Sequence, residues 1–183
     1  MKKEKETLTR KEIDFMIRHA KKLRDKAFVA FLYLTGARIS EVVRSVKKED
    51  FRKEGDFLLV RIKTLKNRRQ PMRILGMPLE DPYTRIVLQY VTKAPDGPLW
   101  NFSRQYAWRL LKSLGGEKVH PHIFRHTRLT HCVVYGNMHE FDLMRFAGWS
   151  NIKPAYTYVH MSWRDLLGKI KKTSEEIRNP SLP

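Results

Sequence analysis

Apolar residues recur every three or four positions through most of this chain, but over one stretch they alternate. Leu58, Val60 and Ile62 interleave with Leu59, Arg61 and Lys63, the period of a half-buried strand. LKNRRQ follows, then PMRIL, so the stretch reads as a β-hairpin with a basic tip. Pro71 near the start of the second strand suits an edge position. A single hairpin inside a helical chain, with no alternation of strand and helix, excludes a doubly wound sheet. The expected class is α+β, mainly α-helical, with a small antiparallel sheet.

The helices are read from their caps and stripes. Thr9 and Glu12 have the spacing of a capping box, and Ile13, Ile17, Ala20 and Leu23 follow at helical intervals. A buried helix from about Lys26 to Leu34 stops near Gly36. A third starts near Arg38 in ARISEVVRSV. Its Ile39, Val42, Val43 and Val46 form a stripe and leave Arg38 and Glu41 together on another face. Further helices are expected over Asp81–Thr92, Ser103–Leu114 and Pro121–Tyr135, with Pro121 in a first turn. Shorter ones cover His139–Phe146 and Pro154–Tyr158. Ser162 caps a last one, to Arg178, with Trp163, Leu166, Leu167 and Ile170 on one face.

Charge narrows the function. Thirty-seven Lys and Arg stand against 19 Asp and Glu, a net +18, and the pI is about 10.2. Such a surplus favours a polyanionic partner, nucleic acid first, with solubility alone as the plain alternative. The single cysteine, Cys132, excludes an intrachain disulfide and a cysteine-rich zinc site. The opening MKKEKETLTRKEID has no apolar core of a signal peptide. The longest apolar run, Ala27–Leu34, is far too short to span a bilayer. A soluble, cytoplasmic protein is expected. The three glutamines, one cysteine and 31% charged residues lean towards a thermophile composition.

HPHIFRHTRLTH, His120–His131, holds four histidines and two arginines in twelve residues. On a helix, His122, Arg125 and His126 share a face. Three readings stand: a metal site, a phosphate grip, or a polar helix face. The metal reading lacks a third ligand. It also has Ile123 where a metalloprotease helix would carry Glu, and Arg125 adds a fixed positive charge beside the cation.

TGARISEV (Thr35–Val42), HIFRH (His122–His126) and AGWSNIKPAYTYVH (Ala147–His160) occur in that order. Together they resemble the tyrosine recombinase, or phage-type integrase, family. Its active site carries an Arg in a TGxRxSE-like segment, a Lys in a β-hairpin, an HxxR pair on a helix, and a His or Trp nine residues before a nucleophilic Tyr. Arg38 matches the first arginine and Glu41 the acidic position that accompanies it. His122 and Arg125 match HxxR. Trp149 stands where Gly-His is usual, and Tyr158, nine residues on, matches the nucleophile; Tyr156 does not. Lys63, which begins a K-T-x-K pattern at the strand end, is favoured over Lys66 in the turn as the hairpin lysine. His126 is read as structural, and His160 has no role assigned. Longer members carry an N-terminal DNA-clamping domain. The LT-x-x-E-I opening, Leu8–Ile13, resembles the start of the catalytic domain, so residues 1–183 are expected to be that domain alone.

The resemblance implies DNA cleavage by Tyr158. Arg38 and Arg125 would hold the non-bridging phosphate oxygens with planar, permanently charged donors. His122 would donate to the same oxygens or take the tyrosine proton, and Trp149 would offer its indole N–H. Lys63 would protonate the leaving 5′ oxygen. Glu41 would orient Arg38 or His122. Nearby arginines are expected to lower the phenol pKa of Tyr158. Lys66, Arg68, Arg69, Arg73, Arg104, Arg109 and Lys112 would grip the DNA backbone, with a log–log salt slope of roughly −5 to −9. Neither metal, ATP nor another cofactor is implied. The partners would be double-stranded DNA and further copies of the chain, as a tetramer on DNA, with the last helix docking on a neighbour or on its own core.

Overall fold

The computed structural model describes residues 7–64, 72–159 and 171. The hairpin tip with Lys66, Arg68, Arg69 and Pro71, His160, and the last helix expected from Ser162 lie outside the described residues, apart from Lys171.

Helix α1 (Arg10–His19) begins at the predicted capping box, with Thr9 and Glu12 bonded reciprocally. Helix α2 (Leu23–Thr35) is the centre of the fold. Phe28, Val29, Ala30, Phe31 and Leu32 on it are completely buried, so it is apolar all round rather than striped. It packs against α1, against α4 (Pro82–Lys93) and against α6 (Pro121–Val134). Gly36 ends it in the left-handed conformation (φ 55°), the usual role of glycine at that position. Asp81 caps α4 and Ser103 caps α5 (Arg104–Gly115) through their side chains.

Among the described residues, the sheet has three antiparallel strands in the order β1 (Phe51–Glu54), β2 (Phe57–Lys63), β3 (Met72–Pro78). The predicted hairpin is β2–β3, with Lys63 opposite Met72. Strand β1 is an addition. Its side chains are mostly exposed and show no apolar alternation, so only the tight turn at Gly55 (φ 53°) and Asp56 marked it.

The third helix is shorter than its stripe suggested. Helix α3 runs only Ile39–Val42. Val43 is already extended, and Arg44 takes a positive φ (59°). The Arg44 N–H donates to Trp100 O (3.0 Å) instead of continuing the helix. β-Branched residues at four of the positions weaken a helix here. The chain turns away, and Val42, Val43 and Val46 still reach the core.

Among the described residues, the apolar interior falls into two clusters. The larger surrounds α2 and includes the inner face of the sheet. The smaller joins Leu129 and Cys132 of α6 to Leu143 and Ala147 of α7 (Glu140–Ala147) and to Ala155 of a 3₁₀ turn, Lys153–Thr157. No helix among the described residues is long and apolar enough to cross a membrane.

Candidate active site

Glu41 is the centre of one half of the site. It is fully buried (0% exposed) and carries three charge-assisted contacts. Oε1 accepts from Arg38 Nη1 (2.8 Å), and Oε2 accepts from Arg73 Nη2 (2.8 Å) and from the Arg38 backbone N–H (3.0 Å). Burial alone would raise its pKa. The hydrogen bond and charge of Arg73, then Arg38, outweigh that and hold it below the usual carboxylate range. Arg38, at the head of α3, has its side chain 18% exposed and reaches the cleft.

Arg125 is anchored differently. It is 6% exposed. Nη1 donates to Gly36 O (2.8 Å) and Nη2 to Ala147 O (2.9 Å), so it ties the end of α2 to the end of α7. Burial, then the charge of Arg38, pushes its pKa down to about 10, which leaves it cationic at neutral pH. Its guanidinium lies 5.5 Å from the Trp149 ring centroid.

Trp149 and Tyr158 are stacked, with centroids 5.9 Å apart and planes at 27°. Tyr158 also lies against His126, at 5.1 Å between ring centroids. Arg38, Thr64, Gly148, Trp149, Ser150, Asn151 and Pro154 line an open cleft of about 210 Å³. A side chain on Gly148 would be strained and would have to displace its neighbours. Its φ is +66°, and a Cβ would lie 2.8 Å from both Arg73 Nη1 and Thr64 Oγ1.

The fold therefore gathers Arg38, Glu41, Arg125, Trp149 and Tyr158 from three separate stretches of sequence. Lys63 ends β2, exposed and next to Thr64 of the cleft. His122 is exposed on the first turn of α6, the helix of Arg125. Tyr156 is 55% exposed; neither it nor Tyr158 lines the cleft, which Tyr158 borders through its stacking on Trp149. Arg104 and Arg109 are exposed on α5, and Lys112 on the same helix pairs with Glu117 and lies over Trp108. None of the three lines the cleft. Among the described residues, no three His, Cys, Asp or Glu side chains group as they would around a metal ion.

Two expectations change. Arg73, expected on the DNA backbone, is inside the protein at 8% exposure, bonded to Glu41 and to Thr64 Oγ1 (3.0 Å). It occupies an inward position of β3, between the outward-facing Met72 and Ile74, so the hydrophobic pattern of the strand gave no sign of it. The phenol of Tyr158 is not drawn down. Burial raises its pKa, and Arg125 only opposes the rise. Thr64 and the contact of His126 with Tyr158 had no signal in the linear spacing, because both depend on how distant segments meet.

The family profile of phage integrases matches residues 6–164. The chain belongs to the phage integrase family. Its curated relatives are tyrosine recombinases. XerC of Bacillus licheniformis is 32% identical over 160 residues, 80% of this chain and 52% of that protein. XerA of Pyrococcus furiosus is 33% identical over 130 residues, 63% of this chain and 43% of that one. This integrase-family chain thus spans about half the length of the relatives it matches. Solved structures share its fold. XerH recombinase, bound to its difH substrate before cleavage, superposes with a TM-score of 0.70 at 15% identity, covering 90% of this chain and 53% of that one. The Tn1549 transposon integrase, in complex with a circular intermediate DNA, gives 0.65 at 17%, covering 92% and 66%.

Proposed function

We propose that this chain is the catalytic domain of a site-specific recombinase that cuts and rejoins double-stranded DNA through a 3′-phosphotyrosyl link, in the integration or excision of a mobile element. One observation carries the reading. Two arginines distant in sequence, each held by buried partners, meet at Trp149: Arg38 lines the cleft with it, and Arg125 and the tyrosine at the family's nucleophile position lie against its ring. That is a grip for one phosphate and a nucleophile beside it. The DNA-bound states of XerH and the Tn1549 integrase support duplex DNA as the partner, as does the net charge of +18.

In this reading, Arg38 and Arg125 hold the non-bridging oxygens and stabilise the charge that grows on them in the transition state. Each keeps N–H groups beyond those bonded to Glu41 or to the carbonyls. Trp149 adds an indole N–H and shields the ring of Tyr158. Tyr158 Oη attacks phosphorus, and the bond from phosphorus to the 5′ oxygen breaks. Burial raises the pKa of Tyr158, so in this reading its proton leaves as the new bond forms, and His122 takes it. Lys63 gives a proton to the departing 5′ oxygen. A 5′-hydroxyl from another strand then reverses the step, regenerating the phenol. Exchange between duplexes calls for several copies of the chain on DNA, a tetramer in this reading.

The test is a covalent trap. Protein and a Tyr158→Phe variant are incubated with supercoiled plasmid in EDTA and quenched with SDS. Relaxed plasmid and protein-linked DNA are expected from the parent alone. Relaxation without strand exchange between partners would favour a nicking–closing, topoisomerase-like enzyme. Tight DNA binding with no adduct would favour a silent binding module.

A further inference from the structure

Strand β3 turns Arg73, Leu75 and Met77 inward, at 8%, 5% and 1% exposure. A buried guanidinium gives up hydration that an ion pair only partly returns, and an apolar side chain would continue this row with less penalty. Stability alone does not account for an arginine here, but its contacts suggest a reason. Nη2 donates to Glu41 Oε2 (2.8 Å), and the other oxygen of that carboxylate holds Arg38 Nη1 (2.8 Å). Nη1 donates to Thr64 Oγ1 (3.0 Å), the residue after Lys63 and itself part of the cleft wall. The turn before Trp149 closes on the same place, since a Cβ on Gly148 would meet Arg73 Nη1 and Thr64 Oγ1 at 2.8 Å. One guanidinium thus touches the strand end that carries Lys63, the carboxylate that aims Arg38, and the turn that carries Trp149.

We propose that Arg73 is a positioning residue that fixes Lys63 and Arg38 relative to each other, so that the general acid and the phosphate clamp meet the same phosphodiester. The proposal rests on the recombinase reading above. The planar fork of arginine suits the task because it reaches two partners at a set angle. Its buried Nε has no hydrogen-bond partner among the described residues, so Glu41 and Thr64 set its orientation. A lysine offers one point of attachment and cannot hold both.

The experiment measures initial rates of SDS-stable adduct on supercoiled plasmid at saturating protein, together with plasmid binding and thermal melting. The proteins are the parent, Arg73→Met, Arg73→Lys, Lys63→Ala and the double variant Lys63→Ala with Arg73→Met. Arg73→Met is expected to slow adduct formation about 100-fold, as misplaced catalytic groups do, with plasmid binding unchanged. Arg73→Lys recovers part of the rate. The double variant falls within about threefold of Lys63→Ala alone, because the two residues act through one step. Three results would overturn the proposal: a parental rate in Arg73→Met, a parental rate in Lys63→Ala, or losses that multiply in the double variant, as merely loosened packing gives. If Arg73→Met does not melt cooperatively, Thr64→Val takes its place in the same cycle, with the same criteria. A parent that forms no adduct defeats the recombinase reading itself, and the Arg73 proposal falls with it.

Discussion

The two halves of the site are built on different foundations. Arg38, Glu41 and Arg73 are set into the large cluster around α2 and the sheet, with Glu41 fully buried and its two arginines bonded to it at 2.8 Å. Trp149 and Tyr158 belong to the small cluster, where five buried residues support a half-exposed pair of rings. Arg125 spans the two, with one hydrogen bond to the end of α2 and one to the end of α7. In the proposed reading, the phosphate grip is the more deeply set half, whereas the nucleophile rests on a satellite that Arg125 pins to the main body. Local opening is expected to start in the satellite, because it buries less apolar surface.

The largest effect that tests this contrast is on the grip. Glu41→Gln removes the charge shared by two buried or half-buried arginines and is expected to cost about 3–5 kcal/mol of stability in a urea melt. The sign of the acid response follows. The folded-state pKa of Glu41 lies below its unfolded value, so its contribution is present above the unfolded pKa and lost as pH falls through the folded one. The parent should weaken on acidification below about pH 4, and the variant should lack that part of the slope. A variant as stable as the parent would remove the distinction between the halves.

Next come paired truncations. Leu32→Ala, in the large cluster, is expected to cost about 4 kcal/mol, and Leu143→Ala, in the small one, about 2; both residues are 0% exposed. Hydrogen exchange should show the Leu143 variant opening α7 and the following turn while α2 stays protected. Uniform loss of protection would mean that the two clusters unfold as one.

Gly148→Ala sharpens the join between the halves. The left-handed φ costs about 1–2 kcal/mol, and the new methyl must displace Arg73 or Thr64. Melting should fall modestly and adduct formation more steeply. The smallest effect is on Tyr158. In the protein without DNA, its phenol should titrate above the ordinary tyrosine range, and Arg125→Gln should move it higher still, because Arg125 opposes the effect of burial. Ultraviolet titration against Tyr158→Phe isolates that one residue.

The fold was legible wherever a local rule decides it. The capping box, the helix stop near Gly36, the helix beginning near Asp81 and the β2–β3 pair follow from neighbouring residues. Strand β1 was hidden because its side chains face solvent and carry no period. Helix α3 was overread because a valine stripe suits a strand-like path as well as a helix. The family resemblance marked Arg38, Glu41, Arg125, Trp149 and Tyr158 and implied that Glu41 orients Arg38 or His122, but it did not show the deeper anchors. The pairing of Arg73 with Glu41 joins residues 32 apart, and the anchoring of Arg125 depends on carbonyls at Gly36 and Ala147, which no side-chain pattern reveals. The direction of the Tyr158 shift was misjudged for a related reason. Charges can be counted in a sequence, but burial cannot, and here burial is the larger influence.

The most direct test of the central claim is mass spectrometry of the DNA-linked peptide, after nuclease digestion of an SDS-trapped complex with supercoiled plasmid. Fragmentation separates Tyr156 from Tyr158 within one peptide. The nucleotide remnant is predicted on Tyr158, joined through a 3′ phosphate. A remnant on Tyr156, or on any other residue, would contradict the assignment of the nucleophile and the site built around it.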